Sequence, residues 1–130
     1  MSNIITFGTF DVFHVGHLNI LKRAKSLGNR LFVGVSSDAL NFQKKGRYPV
    51  YEEYDRMSII SGIKYVDVVF LEESLDLKVS YIQKYNADIL VMGDDWKGKF
   101  DHFSSFAKII YLERTPTVST TSIIEVIKKC

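Results

Sequence analysis

Short apolar runs alternate with stretches of helical periodicity along this chain, and this alternation limits the possible fold more than any other feature. The apolar runs cover residues 4–7, 31–35, 66–71, 88–92 and 109–112. They are apolar almost throughout, which is typical of strands covered on both faces in a parallel sheet. Helical spacing occupies residues 16–27, 52–62, 75–85 and 119–129. We therefore predict an α/β fold, a doubly wound, Rossmann-like five-stranded parallel sheet in the order 3-2-1-4-5 with helices on both faces.

Composition and charge exclude several classes of protein. The length of 130 residues predicts a single domain over residues 1–130. The composition, 46% hydrophobic and 25% charged with a formal net charge of +2, is ordinary for a globular protein. A charge balance so close to zero gives no reason to expect a nucleic-acid partner. The sequence has no apolar stretch of membrane-spanning length and no signal-peptide pattern, so no membrane partner is expected. The single cysteine, Cys130, cannot form an intrachain disulfide, and this fits a cytoplasmic location.

Two histidines stand three positions apart where the first strand gives way to a helix. They belong to residues 8–17, GTFDVFHVGH. The first amides and the dipole of a helix favour anions, so the junction at His14 and His17 predicts a site for a phosphate-bearing ligand. A zinc site is the other interpretation, but this pair lacks a nearby cysteine or third histidine. His102 has no such context and is expected on the surface.

The predicted fold indicates which other segments reach this junction. In open α/β sheets, ligands bind beyond the carboxyl ends of the strands, where the strand order reverses. Gly8 ends the first strand and Gly93 ends the fourth, and these strands are neighbours in the predicted order. Residues 93–101, GDDWKGKFD, and residues 114–121, RTPTVSTT, would therefore open onto the same pocket.

With these three strings, in this order, the sequence resembles the HxGH nucleotidyltransferase superfamily. Within it, the sequence is most similar to small cytidylyltransferases of the glycerol-3-phosphate cytidylyltransferase type, and the likeness runs from residue 4 to the C-terminal helix. The resemblance implies an enzyme that joins the phosphate of a small acceptor to the α-phosphorus of CTP and releases pyrophosphate. It also implies a homodimer, and Mg²⁺ bound by the substrate phosphates rather than by protein ligands. The product would serve cell-envelope, capsule or lipid headgroup synthesis.

The resemblance also implies roles for individual residues. His14, His17 and Lys44 would be catalytic, with the histidines as donors to the α- and β-phosphates and the lysine as a mobile charge. The nucleotide-binding set would be Gly8, Thr9, Phe10, Asp11, Gly16, Gly93, Asp94, Trp96, Arg114, Thr115, Ser119, Thr120 and Thr121, with Asp11 supporting the histidine loop. The acceptor-binding set would be Asp38, Arg47, Arg56, Lys64 and Lys78. A phosphate monoester is already anionic at neutral pH, so no general base is needed. For Lys44 and Arg47, a solvated basic loop is the alternative interpretation.

The acceptor side departs from the family pattern more than the nucleotide side. Lys64 stands where the glycerol-3-phosphate enzymes have arginine, and Leu75 where they have tryptophan. Lysine keeps the charge of arginine but loses its bidentate phosphate geometry. Thr117, preceded by Pro116, replaces the glycine of the family's RTxGISTT signature and predicts a different path for that loop.

The acceptor and the exact activity therefore have several alternatives. Glycerol 3-phosphate is the default acceptor. Phosphocholine, a polyol phosphate and a phosphorylated amide such as phosphoglutamine are the other acceptors considered. An adenylyltransferase and a non-catalytic nucleotide-binding protein are the alternatives outside the cytidylyl class.

Overall fold

The described part of the chain is built around a parallel sheet. The computed structural model describes residues 2–116 and 118–130, so the predicted change of path at Thr117 lies outside the described residues. Within them the strands are β1 (Asn3–Gly8), β2 (Arg30–Ser36), β3 (Val68–Glu72), β4 (Ile89–Gly93) and β5 (Lys108–Leu112). They pair in parallel in the order β3-β2-β1-β4-β5. The predicted fold class and strand order are confirmed.

Helices connect the strands and one follows the last strand. Their bounds are α1 (Val15–Lys25), α2 (Asp38–Lys45), α3 (Glu53–Ser61), α4 (Lys78–Lys84) and α5 (Thr120–Lys129). Short 3-10 turns cover Leu75–Leu77, Asp94–Trp96 and Asp101–Phe103. The helix predicted over residues 75–85 is therefore divided into a 3-10 turn and α4. No helix in the described part of the chain is long and apolar enough to cross a membrane.

Helix α2 was not predicted from the sequence, which indicated a strand and then a basic loop in this region. Ser37 caps its N-terminus, with the side-chain hydroxyl accepting a hydrogen bond from the Leu40 amide at 3.0 Å. Gly46 ends it with a left-handed φ of 72°. Its inward face consists of Leu40 and the polar Asn41, so the helix lacks the apolar stripe by which a sequence reveals amphipathic helices.

Apolar side chains cover the sheet on both faces. One cluster contains Ile4, Leu21 of α1, Ile60 of α3 and their neighbours, and the other contains Ile5, Ile82 of α4 and theirs. Consecutive residues of β1 thus point into opposite layers, because strand side chains alternate between the faces. This two-sided burial explains why the strands are apolar almost throughout.

The carboxyl ends of the strands form one edge of the sheet. Gly8, Ser36, Glu72, Gly93 and Leu112 are the last residues of the strands in chain order. β1 lies between β2 and β4, so the strand order reverses at β1 and a crevice opens beyond it.

Candidate active site

A cavity of about 580 Å³ opens at this edge, a size typical of small-molecule sites. It brings together the three sequence strings, of which one contains the histidines, one follows β4 and one follows β5. Among the residues predicted from the sequence, it is lined by Gly8, Thr9, Phe10, Asp11, His14, Gly16, His17, Lys44, Arg47, Lys78, Gly93, Trp96, Arg114, Thr115, Ser119, Thr120 and Thr121. The predicted convergence of three distant segments on one pocket is therefore present in the structure.

The two histidines cap the helix that they introduce. His14 is the N-cap of α1, and its Nδ1 accepts a hydrogen bond from the Gly16 amide at 3.0 Å. His17 reaches back, so that its Nδ1 accepts one from the His14 amide at 3.2 Å. The two rings stack with centroids 3.8 Å apart. A Cβ on residue 16 would lie 2.8 Å from His14 Cε1, so this close approach requires glycine.

These hydrogen bonds define the protonation of both rings. A ring nitrogen that accepts from an amide carries no proton, so the neutral rings are protonated on Nε2 and can donate from it. Burial, and to a smaller extent the charge of His14, lowers the pKa of His17 to about 4, while the charge of Asp11 opposes the change. Burial and then the charge of Arg114 lower the pKa of His14. At pH 7 both rings are therefore neutral hydrogen-bond donors.

Asp11 holds the loop between β1 and α1. Its carboxylate accepts hydrogen bonds from the amides of Val12 at 3.1 Å, Val50 at 2.7 Å and Tyr51 at 2.9 Å. The flanking residues Phe10 and Val12 have φ angles of 54° and 47°, a region in which a β-branched valine is strained. Strain of this kind persists only where surrounding contacts hold the backbone. The three bonds to Asp11 supply such contacts.

The start of α5 completes the wall beside the histidines. Ser119 is the N-cap of this helix, and the Thr120 hydroxyl donates to the Asp11 carbonyl at 3.0 Å. Asn19 of α1 donates from its side-chain amide to the Thr115 hydroxyl at 2.9 Å. Two helix N-termini, those of α1 and α5, therefore face the cavity with amide groups suited to phosphate oxygens.

Arg56 lies behind the cavity wall. It has no exposed surface, and it donates to the carbonyls of Tyr51 at 3.0 Å, Thr9 at 2.9 Å and Ser36 at 2.8 Å. It also forms an ion pair of 2.7 Å with Asp38. Neither Arg56 nor Asp38, both predicted to bind the acceptor, lines the cavity, and their charged groups bind each other and the backbone.

A buried carboxylate joins two of the three lysines that line the cavity. Glu72 lines the cavity although only 1% of its surface is exposed. Its Oε2 pairs with Lys78 Nζ, and its Oε1 accepts from Ser36 Oγ at 3.2 Å. Ser36 Oγ in turn accepts from Lys44 Nζ at 3.4 Å. Lys78 Nζ also lies 4.3 Å from the centre of the Phe7 ring.

Comparison with known proteins decides the family. Residues 5–126 match the cytidylyltransferase-like family. The chain belongs to this family. It is 48% identical over 124 residues to a glycerol-3-phosphate cytidylyltransferase of Bacillus spizizenii, covering 95% of each chain. It is 39% identical over 123 residues to one of Staphylococcus aureus, covering 95% of this chain and 92% of that one. The resemblance predicted from the sequence, and the enzyme class that it implied, are confirmed.

Two solved structures share the fold of this chain. The lipopolysaccharide core biosynthesis protein of Thermoplasma volcanium superposes with a TM-score of 0.78 at 29% identity, covering 88% of this chain and 98% of that one. TmcAL of Thermotoga maritima has a TM-score of 0.75 at 12% identity over 99% of this chain and 51% of its own. At that identity the second likeness concerns the fold alone.

Two further residues predicted for a cytidylyltransferase site do not line the cavity. Lys64 is exposed and precedes β3, so it lies toward the edge of the sheet opposite the carboxyl ends. Asp94 begins the 3-10 turn after β4, and its neighbour Asp95 lines the cavity instead. A Lys64 contact with the acceptor is not part of the described site.

Several polar residues of the cavity were not predicted from the sequence, among them Ser36, Asn41, Glu72 and Asp95. Ser36 and Glu72 end strands at the same edge as Gly8, so the carboxyl-end rule could have found them. Asn41 accepts from the Thr9 hydroxyl at 2.7 Å, but it lies on the helix that was not predicted.

Protein ligands for a metal ion are not grouped in this cytidylyltransferase. Among residues 2–116 and 118–130, no three His, Cys, Asp or Glu side chains are arranged to hold a cation. The two buried carboxylates that line the cavity are also committed, Asp11 to backbone amides and Glu72 to Lys78 and Ser36.

Proposed function

We propose that this chain transfers CMP from CTP to the phosphate of glycerol 3-phosphate, giving CDP-glycerol and pyrophosphate. The observation that carries the proposal is a single shared cavity. It is lined by the histidine loop, the start of α5 and lysines of α2 and α4. The choice of acceptor is supported by relatives of 39–48% identity that are glycerol-3-phosphate cytidylyltransferases over almost the same length.

The reaction needs charge stabilisation more than acid–base catalysis. An oxygen of the acceptor phosphate forms a bond to the α-phosphorus, and the bond from that phosphorus to the bridging oxygen breaks. The electron pair leaves with pyrophosphate. With a second pKa of about 6, the attacking phosphate is already dianionic at neutral pH. The Nε2–H groups of His14 and His17 would donate to phosphate oxygens on which negative charge grows.

The lysines would overcome the repulsion between two anionic substrates. Lys78 is fixed by Glu72 and by the Phe7 ring, so it suits binding of the acceptor phosphate. Lys44 is only half-buried on α2, and it would lie between the acceptor and the triphosphate. Arg47 is exposed at the cavity mouth and would attract anions into it.

Mg²⁺ is expected as part of the CTP substrate. The described residues offer no three-residue metal group, and Mg²⁺ characteristically keeps several waters and binds substrate phosphates. We therefore expect the cation to enter with the triphosphate. Removing Mg²⁺ with a chelator should abolish turnover and leave the unfolding transition of the free protein unchanged.

We also propose a homodimer in the cytosol, on the basis of the family resemblance. Exposed apolar residues of α5, Val126 and Ile127, are candidates for such a contact. Sedimentation equilibrium should give twice the chain mass of 14.9 kDa. A single-chain mass at micromolar concentration would contradict the dimer without affecting the proposed reaction.

The first experiment is a pyrophosphate-release assay with Mg²⁺ and either CTP or ATP. The acceptors are glycerol 3-phosphate, phosphocholine, a polyol phosphate and a phosphorylated amide. Fast release only with CTP and glycerol 3-phosphate is the expected result. Release with a different acceptor would replace the proposed acceptor, release with ATP would make the chain an adenylyltransferase, and CTP binding without release would make it a binding protein.

A further inference from the structure

Glu72 is an acidic residue in a cavity that would bind anions. A carboxylate on the wall of a phosphate site repels the ligand, so its presence requires a compensating role. Glu72 is the last residue of β3, and its backbone carbonyl accepts from the Ser37 amide at 2.8 Å. The strand therefore fixes its side chain at the carboxyl edge of the sheet, beside the lysines.

Each carboxylate oxygen of Glu72 has a partner, an ammonium group for Oε2 and a hydroxyl group for Oε1. Oε2 binds Lys78 Nζ, with side-chain exposures of 1% and 3% for the two residues. Oε1 accepts from the Ser36 hydroxyl, which accepts from Lys44 Nζ. Glu72 is thus the common partner of two lysines that come from different helices.

Lys78 depends on this partner because its surroundings are otherwise apolar. Its ammonium group lies 4.3 Å from the centre of the Phe7 ring and 5.5 Å from that of Phe100. Burial lowers the pKa of Lys78, and the charge and hydrogen bond of Glu72 oppose this. Burial also lowers the pKa of Lys44, and Glu72 is the group that opposes it most.

We propose that Glu72 is a positioning residue of the acceptor site, holding Lys78 directly and Lys44 through Ser36 so that both ammonium groups face the acceptor phosphate. This inference rests on the proposed function, in which Lys78 binds that phosphate and Lys44 lies between it and the triphosphate. Other charged groups act on the same cluster. They are Lys45 and Arg56, whose charges act on Lys44, and Asp95, which lines the cavity from the turn after β4.

The kinetic test compares Glu72→Gln with Glu73→Gln. The glutamine at position 72 keeps the shape but not the charge, so the lysines should lose their protons at lower pH. The ratio of the variant's KM for the acceptor to that of the wild type should be roughly ten at pH 8 and approach one at pH 6. The KM for CTP should change less, because only Lys44, of the two lysines, lies beside the triphosphate. Glu73 is exposed and outside the cavity, so its variant should match the wild type. An equal rise at both pH values would overturn the inference.

A second readout does not need turnover. Lysines labelled with ¹³C at Cε are titrated by NMR, and the Lys78 signal is assigned with Lys78→Arg. In Glu72→Gln, the Lys78 titration should move down by at least about one pH unit. Inorganic phosphate, added as the probe at pH 8, should perturb the Lys78 signal with roughly tenfold weaker affinity than in the wild type. An unshifted titration, or unchanged phosphate affinity, would refute the role of Glu72.

The two proposals can fail independently. A wild type that does not turn over glycerol 3-phosphate would refute the proposed acceptor, while the NMR titration would still decide the role of Glu72. If Glu72→Gln does not fold, Ser36→Ala replaces it, because this change removes the hydroxyl that links Glu72 to Lys44 and leaves the ion pair of Glu72 with Lys78 in place. The titration of Lys44 should then move to lower pH and that of Lys78 should not. A shift of neither lysine would overturn the inference.

Discussion

His14 uses one ring nitrogen for the backbone and keeps the other for the substrate. Nδ1 accepts from the Gly16 amide, so the ring contributes to helix capping and, through Nε2, to the proposed chemistry. The two contributions can be separated by substitution, because asparagine is among the best N-cap residues whereas alanine is a poor one.

Replacing His14 by asparagine should therefore retain the fold and lose the activity. We expect kcat to fall by about 10²–10³ in both His14→Asn and His14→Ala, the usual effect of removing one transition-state donor. Only the alanine variant should also lose about 1 kcal/mol of unfolding free energy. Single-turnover kinetics and urea unfolding measure the two effects. Near-normal rates in the asparagine variant would contradict the role of Nε2.

His17 should make stability depend on pH. Its pKa is lowered from 6.5 to about 4 in the folded protein, so the unfolded chain takes up a proton at higher pH than the folded chain does. The stabilisation is complete above pH 6.5 and is lost as the pH falls toward about 4. His14 acts in the same direction because its pKa is also lowered.

Urea unfolding at a series of pH values tests this. Between pH 6.5 and about 4, the wild type should lose stability more steeply than His17→Asn. His102→Asn is the matched control, since that imidazole is exposed outside the cavity, and it should retain the wild-type slope. Parallel curves for the wild type and His17→Asn would exclude His17 as the cause.

At this scale the sequence predicted the nucleotide side better than the acceptor side. His14, His17 and Arg114 belong to contiguous strings whose spacing can be read directly. Glu72 and Arg56 gain their positions from contacts between distant elements. The sequence around a charged residue in such an element does not indicate whether its side chain is exposed or buried.

Among the elements, α2 positions the basic residues at the cavity mouth. It ends at Gly46, whose amide donates to the Phe42 carbonyl at 2.8 Å and whose φ is 72°. This left-handed cap turns the chain from Lys44 on the helix to Arg47 at the mouth. No atom lies within 4 Å of a Cβ built at Gly46, so only the backbone conformation opposes a side chain there.

Gly46→Ala should therefore cost about 1–2 kcal/mol of unfolding free energy, the penalty for a left-handed L-residue. Gly46→Asn should cost less, because asparagine tolerates this conformation at helix ends. Thermal or urea unfolding of both variants provides the comparison. Equal losses for alanine and asparagine would point to a steric cause instead.

The elements that the sequence predicted are those with a regular apolar pattern. The strands were recognised because both faces are covered, and α5 because Ile123 and Ile127 share a face. α2 was missed because one of its two buried residues is Asn41, whose hydrogen bonds to β2 and to Thr9 take the place of apolar packing. Such a helix has no periodic signal to detect.

In the whole molecule, Arg56 joins parts of the chain that are distant in sequence. It links α3 to the carboxyl ends of β1 and β2 through the Thr9 and Ser36 carbonyls, and to α2 through Asp38. Removing it leaves buried acceptors and a carboxylate without their donor, which is among the most costly changes in a protein interior.

We expect Arg56→Met to lower the unfolding free energy by about 3–5 kcal/mol. Arg56→Lys should rescue little of it, because one ammonium cannot reproduce the planar fork of donors. Urea unfolding provides the measurement, and the KM for the acceptor provides the contrast. A raised KM with unchanged stability would instead support the direct acceptor contact predicted from the sequence.

The cavity is assembled from two sets of segments that meet at β1. The histidine loop and the segments after β4 and β5 form one set, and α2 with the end of β3 and the start of α4 forms the other. If the second set binds the acceptor, a new acceptor preference can evolve mainly through residues 68–84, a short and contiguous stretch. The capping histidines, on which folding also depends, can stay unchanged meanwhile. A hybrid that carries residues 68–84 of a relative should then adopt that relative's acceptor preference and keep the nucleotide preference of this chain.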